Sequence, residues 1–544
     1  MSKRTTAVLI AAVAVAAAFA ALAATAWADD PLPFAITHEH WNGYEALAKS
    51  TDSTPGVSQY KNPPSPICST TTTSAANVST DCEGLAPHNE TSIAINPTNP
   101  NNMIGSANDY QLANGGKNET IFSRAHVTFD AGKTWTTVPI NFNGYIATGD
   151  PAVAFDAAGN AYLATLGFGF GQGSPTGKNA DIVVSTSTDG GTTWTTATRV
   201  ASGSGSFGSV GIFNDKEYIA AWGDGNAIVT WSRFNDLQNG AYGGSPIYAS
   251  VTHDGGKTWS SGVEISGAAS FCASFTAGCD QDQNSTPTVA ANGAVYVSFL
   301  TTRDNSNGRD AYAVVQVDPQ TGQRVAGPFK VADLFDGVGD YPVSAFGDTT
   351  YQDSVFRTWS AGNMTADPTN AQHLAVSWSD MRNSTLTSTD PYATRTNSDV
   401  GVAESFDAGR TWTTKIFTVR NDQFFPWAAF DRSGELRVGY MDRSYDAANH
   451  KYGFTLATET SPGSLTFTTQ QVTNVLSDPT RDDRWFSGTT INAAFPHPTS
   501  FIGDYNGIAA GPNGIATLWT DLRAQVTFGG RSGSGSNAEF ALVH

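Results

Sequence analysis

From residue 90 to the C-terminus, short segments alternate apolar and polar residues one by one and are separated by clusters of Gly, Asn, Asp and Pro. A period of two belongs to a β-strand with one buried face, not to a helix. Laid over one another, these segments form seven units, each opening on a small, Ala-rich strand: Glu90–Ala94, Asp150–Ala154, Glu217–Ala221, Thr286–Ala290, Gly362–Ala366, Phe425–Ala429 and Tyr505–Ala509. A tight turn then leads to a second strand, as in Ile228–Trp231, Val295–Phe299, Leu374–Trp378, Leu436–Tyr440 and Ile515–Trp519. Four strands per unit at this spacing predict an all-β propeller of four-stranded antiparallel blades, with seven blades favoured over six. Small residues suit the innermost strands, where blades crowd the axis. The last unit ends at Ala541–His544 on a third strand, so the region before Glu90 is expected to close the ring.

The turn after the third strand carries an octet found four times: Thr128–Trp135, Ser187–Trp194, Thr252–Trp259 and Ser405–Trp412. Each has Asp at its third position (Asp130, Asp189, Asp254, Asp407), Gly at its fifth and Trp at its eighth. A tight bend needs positive φ at Gly and a short side-chain acceptor for its amides, and the Trp starts the next strand as a large apolar wedge. A degraded copy lies at Thr460–Phe467. A carboxylate repeated in every hairpin is read as scaffold, not as catalyst.

Composition narrows the setting. Lys3 and Arg4 precede an Ala-rich apolar run ending in Ala26-Trp27-Ala28, the pattern of a signal peptide, so residues 1–28 are expected to be removed on secretion, leaving no transmembrane segment. Residues 29–87, rich in Thr, Ser and Pro, read as an N-terminal extension, and residues 88–544 as the propeller. The net charge of −19 excludes nucleic acid as a partner, since phosphate binding needs a concentrated basic surface. The four cysteines form two close pairs, Cys68 with Cys82 and Cys272 with Cys279, expected as local disulfides in an oxidising space.

Strand direction says where a site belongs. The start of the first strand and the end of the second share one face of a propeller, while the octet turns lie on the other. Leaving the second strands, an aromatic residue followed by arginine recurs, bringing Arg233, Arg303, Arg382, Arg443 and Arg523 to the site face. Such a set can bind a carboxylate-bearing sugar through planar bidentate forks. It can equally pair with the adjacent Asp380, Asp442 and Asp521 as scaffold. Entering the first strands, Glu90, Asp150 and Glu217 align, with Asp504 and Tyr505 at the matching edge of the last unit. These acids could serve as general acid or base, cap strand amides, or hold a structural calcium through oxygen. No cofactor is required.

The octet is the Asp box, or BNR repeat, and through it the chain resembles the bacterial sialidase-like glycoside hydrolases. The resemblance implies a secreted, monomeric exo-glycosidase acting on terminal, acidic sugars of glycans. It implies Asp150 as acid/base, Tyr505 or Tyr440 as nucleophile with Glu90 or Glu217 nearby, and an arginine triad drawn from Arg303, Arg382, Arg443 and Arg523. The segment that supplies one triad arginine near the first blade of those enzymes has no counterpart here; His88–Ser92 stands in its neighbourhood. A non-catalytic propeller binding carbohydrate or protein at the cell surface is the alternative reading.

Overall fold

The computed structural model describes residues 68–69, 77–81 and, from 88 onward, all but 114–117, 146, 170–178, 205–210, 237–242, 273–276, 303–308, 337–339, 341, 343–348, 355, 389–392, 480–501 and 529–530. It is a seven-bladed propeller, each blade an antiparallel sheet in which strands A to D run outward from the axis in order. The A strands are His88–Ile95, Ala147–Phe155, Gly211–Trp222, Asp282–Val289, Met364–Ala366, Gln423–Phe430 and Gly507–Gly511, and they touch one another in that cyclic order.

The ring closes through the N-terminal side of the chain. Blade seven takes its A, B and C strands from the C-terminus and its outer strand from Val78–Ser79, which pairs antiparallel with Phe540 and Glu539. Asn77 beside it accepts hydrogen bonds from Arg523 at 3.0 Å and from the Asn474 amide at 2.9 Å, and donates to the Val472 carbonyl at 3.0 Å. Thr80 bonds His126 Nδ1 of blade one at 2.7 Å. One short segment thus ties blades six, seven and one together. Cys68–Ser69 adds a fifth strand at the outer edge of blade one, opposite Trp135 and Thr134. Cys82 lies outside the described residues, as does the expected export segment 1–28. The Cys272–Cys279 disulfide is formed.

Apolar layers between blades hold the ring together, built from the alternate faces of the B and C strands. The Asp boxes lock these layers at one face. In the second box, Asp189 accepts from Ser187 Oγ at 2.8 Å, the Thr193 amide at 2.9 Å and Thr193 Oγ1 at 2.6 Å. Trp194 Nε1 donates to the Gly191 carbonyl at 2.9 Å, and the bonds repeat in the first and fourth boxes. Gly191 has φ 95°, and a Cβ there would come within 2.9 Å of Ile104 in blade one, so this glycine is required by both conformation and packing. Each box rests on an A–B turn, as the Gly255 amide does on the Gly225 carbonyl. The boxes therefore share a face with the A–B turns, opposite to the starts of the A strands. Thr460–Phe467 occupies the equivalent turn of blade six, and Asp318–Gly322 fills it in blade four without the octet.

At the other face, the A strands carry a repeated bulge. Register jumps by one residue between Asn89 and Ser92, Gly149 and Ala152, Asp215 and Tyr218, Gln283 and Thr286, and Phe424 and Trp427. The first bulged residue is left-handed each time: Glu90 (φ 55°), Asp150 (57°), Lys216 (51°), Asn284 (53°) and Phe425 (49°). Bulges re-aim side chains, and five strained non-glycine residues at one level of the ring mark a mouth built for more than packing.

Candidate active site at the axis

Three bulges and the start of blade seven converge on one ammonium group. Lys216 Nζ lies 3.0 Å from Glu90 Oε1, 3.1 Å from Asp150 Oδ2 and 2.6 Å from Asp504 Oδ2. Asp504 also accepts from Arg357 Nε at 2.9 Å. Asn108, on the B strand Met103–Ala113 of blade one, donates through Nδ2 to Glu90 Oε2 at 2.6 Å and accepts the Asp150 amide at 2.8 Å through Oδ1. It thereby orients both acids. Glu90, Lys216, Arg357 and Asp504 are buried, whereas the Asp150 side chain keeps 15% of its surface in solvent. Asp150 is the member of the set that reaches solvent.

Burial and neighbouring charge divide these acids into two classes. Burial, then the Asp150 charge and a hydrogen bond to Asp150, push Glu90 well above the usual carboxylate range, with Lys216 pulling the other way. Glu90 and Asp150 thus share the Lys216 ammonium, and burial disfavours the charged form of Glu90. Burial would also raise Asp504, but Arg357 and Lys216 outweigh it and hold that group ionised, below its ordinary range. Between the bulges, burial and then Asp150 push Asp215 up to about 8 and Glu217 well above its ordinary value.

Aromatic rings lie against this cluster. Tyr218 of blade three and Trp427 of blade six, both just past their bulges, stand 5.1 Å apart, and Tyr505 lies 5.9 Å from Trp427 and 6.4 Å from Tyr218. Lys216 Nζ is 5.8 Å from the Tyr505 ring centroid. Neither the Tyr505 hydroxyl nor the Glu217 carboxyl oxygens have a hydrogen-bond partner among the described residues. Burial, followed by the charges of Glu90, Asp150 and Glu217, pushes the Tyr505 phenol well above 10. Acids, two cations and three aromatic rings thus form one axial cluster, the cup, in which the Asp150 side chain keeps contact with solvent.

No family model and no curated protein matches the sequence. Among solved structures, an α-L-arabinanase from Penicillium chrysogenum is 15% identical over 87% of this chain and 99% of its own, with a TM-score of 0.40. A variant of a sialidase from Streptococcus pneumoniae is 8% identical over 84% and 93%, with a TM-score of 0.39. A protein of unknown function from Dyadobacter fermentans DSM 18053 is 11% identical over 85% and 96%, with a TM-score of 0.44.

Of the residues singled out in the sequence, Glu90, Asp150, Asp504 and Tyr505 meet at the axis. Glu217 lies beside them, but the bulge shifts blade three by one position. Lys216, not Glu217, is therefore the counterpart of Glu90 and Asp150. Tyr440 is packed away from the axis against Phe417 in the layer between blades five and six.

The arginines stay with local partners. Arg382 sets Nε and Nη2 on its own Asp380 at 2.7 and 2.8 Å, and Arg523 does the same with Asp521 at 2.7 and 2.8 Å. The same aspartates accept Trp378 and Trp519 Nε1 at 3.1 Å, so Trp-x-Asp-x-Arg is a closed unit in blades five and seven. Arg443 is buried and lies 3.3 Å from Asp422, and Arg233 lies 4.7 Å over the Tyr248 ring. Arg303 falls outside the described residues.

Lys216 and Arg357 are the functional candidates that sequence reasoning missed. Lys216 could have been found as the one cation of the inner strand Gly211–Trp222, between Asp215 and Glu217. Arg357, in the connection between blades four and five, belongs to no repeated pattern.

Proposed function

We propose that this protein is a secreted, sialidase-like glycoside hydrolase whose chemistry runs at the axial cup. The observation that carries this reading is the placement of Glu90 and Asp150 on the one Lys216 ammonium, Glu90 buried and pushed toward its neutral form, Asp150 reaching solvent. Two carboxyls held on one cation, one of them pushed toward its neutral form by burial, suit general acid–base catalysis at a glycosidic oxygen. Asp150 is the acid/base that meets the leaving oxygen, Glu90 is its proton partner, and Asn108 fixes both. Tyr505 and Glu217 form the second half of the machinery, left without partners where the anomeric carbon would lie.

The test is hydrolysis of a panel of fluorogenic exo-glycosides by the secreted chain, repeated with Asp150→Asn and Glu90→Gln. Loss of roughly 100- to 10,000-fold in kcat/KM for Asp150→Asn, with unchanged circular dichroism, is the expected outcome. Full activity in both variants would remove the pair from the chemistry. The burial of Glu90, Lys216 and Asp504 favours a second reading, a propeller that binds glycan or protein without turnover. Glycan binding with no hydrolysis across the panel would select it.

A further inference from the structure

We infer that the sugar accepted by the axial cup is uncharged, a neutral glycoside and not a carboxylate-bearing one. This inference rests on the glycosidase reading of the cup and names its substrate class.

Recognition of a sugar carboxylate requires a cation with donors to spare, held where the ring docks. Among the described residues, the two cations of the cup have none to spare. Lys216 has three N–H donors and three carboxylate neighbours, in Glu90, Asp150 and Asp504. Arg357 directs both Nε and Nη2 at Asp504, the forked bonding a substrate carboxylate would itself need. Of the described arginines expected on this face, Arg382, Arg443 and Arg523 are engaged with protein acceptors, whereas Arg233 stacks on the Tyr248 ring, away from the cup. Arg382 adds the Asp333 carbonyl to its Asp380 fork, and Arg523 adds Asn474 and Asn77 to its Asp521 fork. Arg443 holds Asp422 and the Gln352 carbonyl.

The remaining charge points the same way. Five carboxyl groups, Glu90, Asp150, Asp215, Glu217 and Asp504, face two cations. The site is poorly solvated: burial and Asp150 already drive Asp215 and Glu217 toward their neutral forms, and a further carboxylate would meet the same desolvation there. The aromatic base of Tyr218, Trp427 and Tyr505 offers apolar faces instead, suited to the C–H face of a neutral ring.

Asp504 is the residue that keeps both cations occupied, and this gives the inference its own handle. The experiment measures turnover of 4-methylumbelliferyl glycosides of neutral sugars and of N-acetylneuraminic acid by the secreted chain. In parallel, calorimetry measures binding of the free sugars to the same chain and to Asp504→Asn. At least 100-fold higher kcat/KM on a neutral glycoside, and N-acetylneuraminate binding that strengthens tenfold or more only in Asp504→Asn, are the expected results. Preference for the sialoside in turnover, or tighter binding of N-acetylneuraminate than of every neutral sugar by the unaltered chain, overturns the inference. Neutral-sugar binding with no hydrolysis of any glycoside removes the hydrolase reading and keeps the substrate class. Absence of both binding and turnover removes the two together. Should Asp504→Asn fail to fold, the unaltered chain decides alone: tighter binding or faster turnover of the N-acetylneuraminic acid compounds than of every neutral one overturns the inference, and the reverse order supports it.

Discussion

Tyr218 and Trp427 reach toward each other from blades three and six, their ring centroids 5.1 Å apart, and form the base on which the carboxyl cluster stands. Each follows an A-strand bulge by one residue, so the same irregularity that lifts Lys216 to the mouth turns Tyr218 inward. Trp427 is buried, and its removal leaves a cavity at the junction of several blades. Trp427→Ala is expected to lower unfolding stability by about 3–5 kcal/mol, and Trp427→Phe by clearly less. Urea unfolding followed by far-UV circular dichroism reads the difference; equal stability of the two variants would mean that the rings do not close the base.

The pH dependence of stability has a definite sign. Burial pushes Asp215 up to about 8, Asp282 up to about 8 and Asp399 up to about 7, whereas in the unfolded chain such groups titrate near 4. Between those limits the folded protein keeps protons that the unfolded chain releases, so stability is complete below about pH 4 for these groups and declines as pH rises toward 8. Asp504 has the opposite sign: held low by Arg357 and Lys216 against burial, it contributes above pH 4 and is lost on stronger acidification. The urea midpoint is therefore expected to be higher at pH 5 than at pH 8. A midpoint that rises across that interval would contradict the burial of these carboxyls as neutral groups.

The parts of this molecule legible in its sequence are those where chemistry is local. The Asp-box octets announce their turns because Asp130, Asp189, Asp254 and Asp407 each satisfy amides within four residues. Glu90, Asp150, Asp504 and Tyr505 stand out as polar residues entering small, apolar inner strands, and the structure gathers them. Lys216 is hidden by the bulge, since one inserted residue moves the alignment onto Glu217. The arginine row is visible as spacing, but whether Arg382 serves a ligand or Asp380 depends on rotamers that spacing does not encode. Arg357 and its bond to Asp504, 147 residues away, have no local signature.

The turns and the mouth occupy opposite faces, and this separates stability from activity. Asp189→Ala removes acceptors from Ser187 and Thr193 in an exposed turn and is expected to cost about 1–2 kcal/mol. Gly191→Ala should cost more, because it imposes a Cβ on a residue at φ 95° and against Ile104. Neither should change kcat/KM on a substrate the axial cup accepts. Thermal denaturation and a steady-state assay of both variants check the pair of statements; a tenfold loss of kcat/KM at unchanged fold would place the Asp-box face in the site.

Ring closure depends on residues that belong to no blade in sequence. Val78–Ser79 completes blade seven, Thr80 donates to the Ala538 carbonyl at 3.1 Å and bonds His126, and Asp81 lies 3.3 Å from His88 Nε2 and 3.2 Å from Thr137 Oγ1. Without this segment the outer edge of blade seven is an unpaired strand, and buried groups of blade one lose their partners. Thr80→Val, which keeps the shape and removes the hydroxyl, is expected to cost about 1–3 kcal/mol through the buried His126 Nδ1 left without its partner, the Ala538 carbonyl keeping the Thr80 amide. A chain beginning at residue 82 should lose considerably more and should self-associate through the open edge, seen as concentration-dependent sedimentation. If that shortened chain stays monomeric and unfolds at the same urea concentration as the intact one, the closing strand is not what holds the first and last blades together.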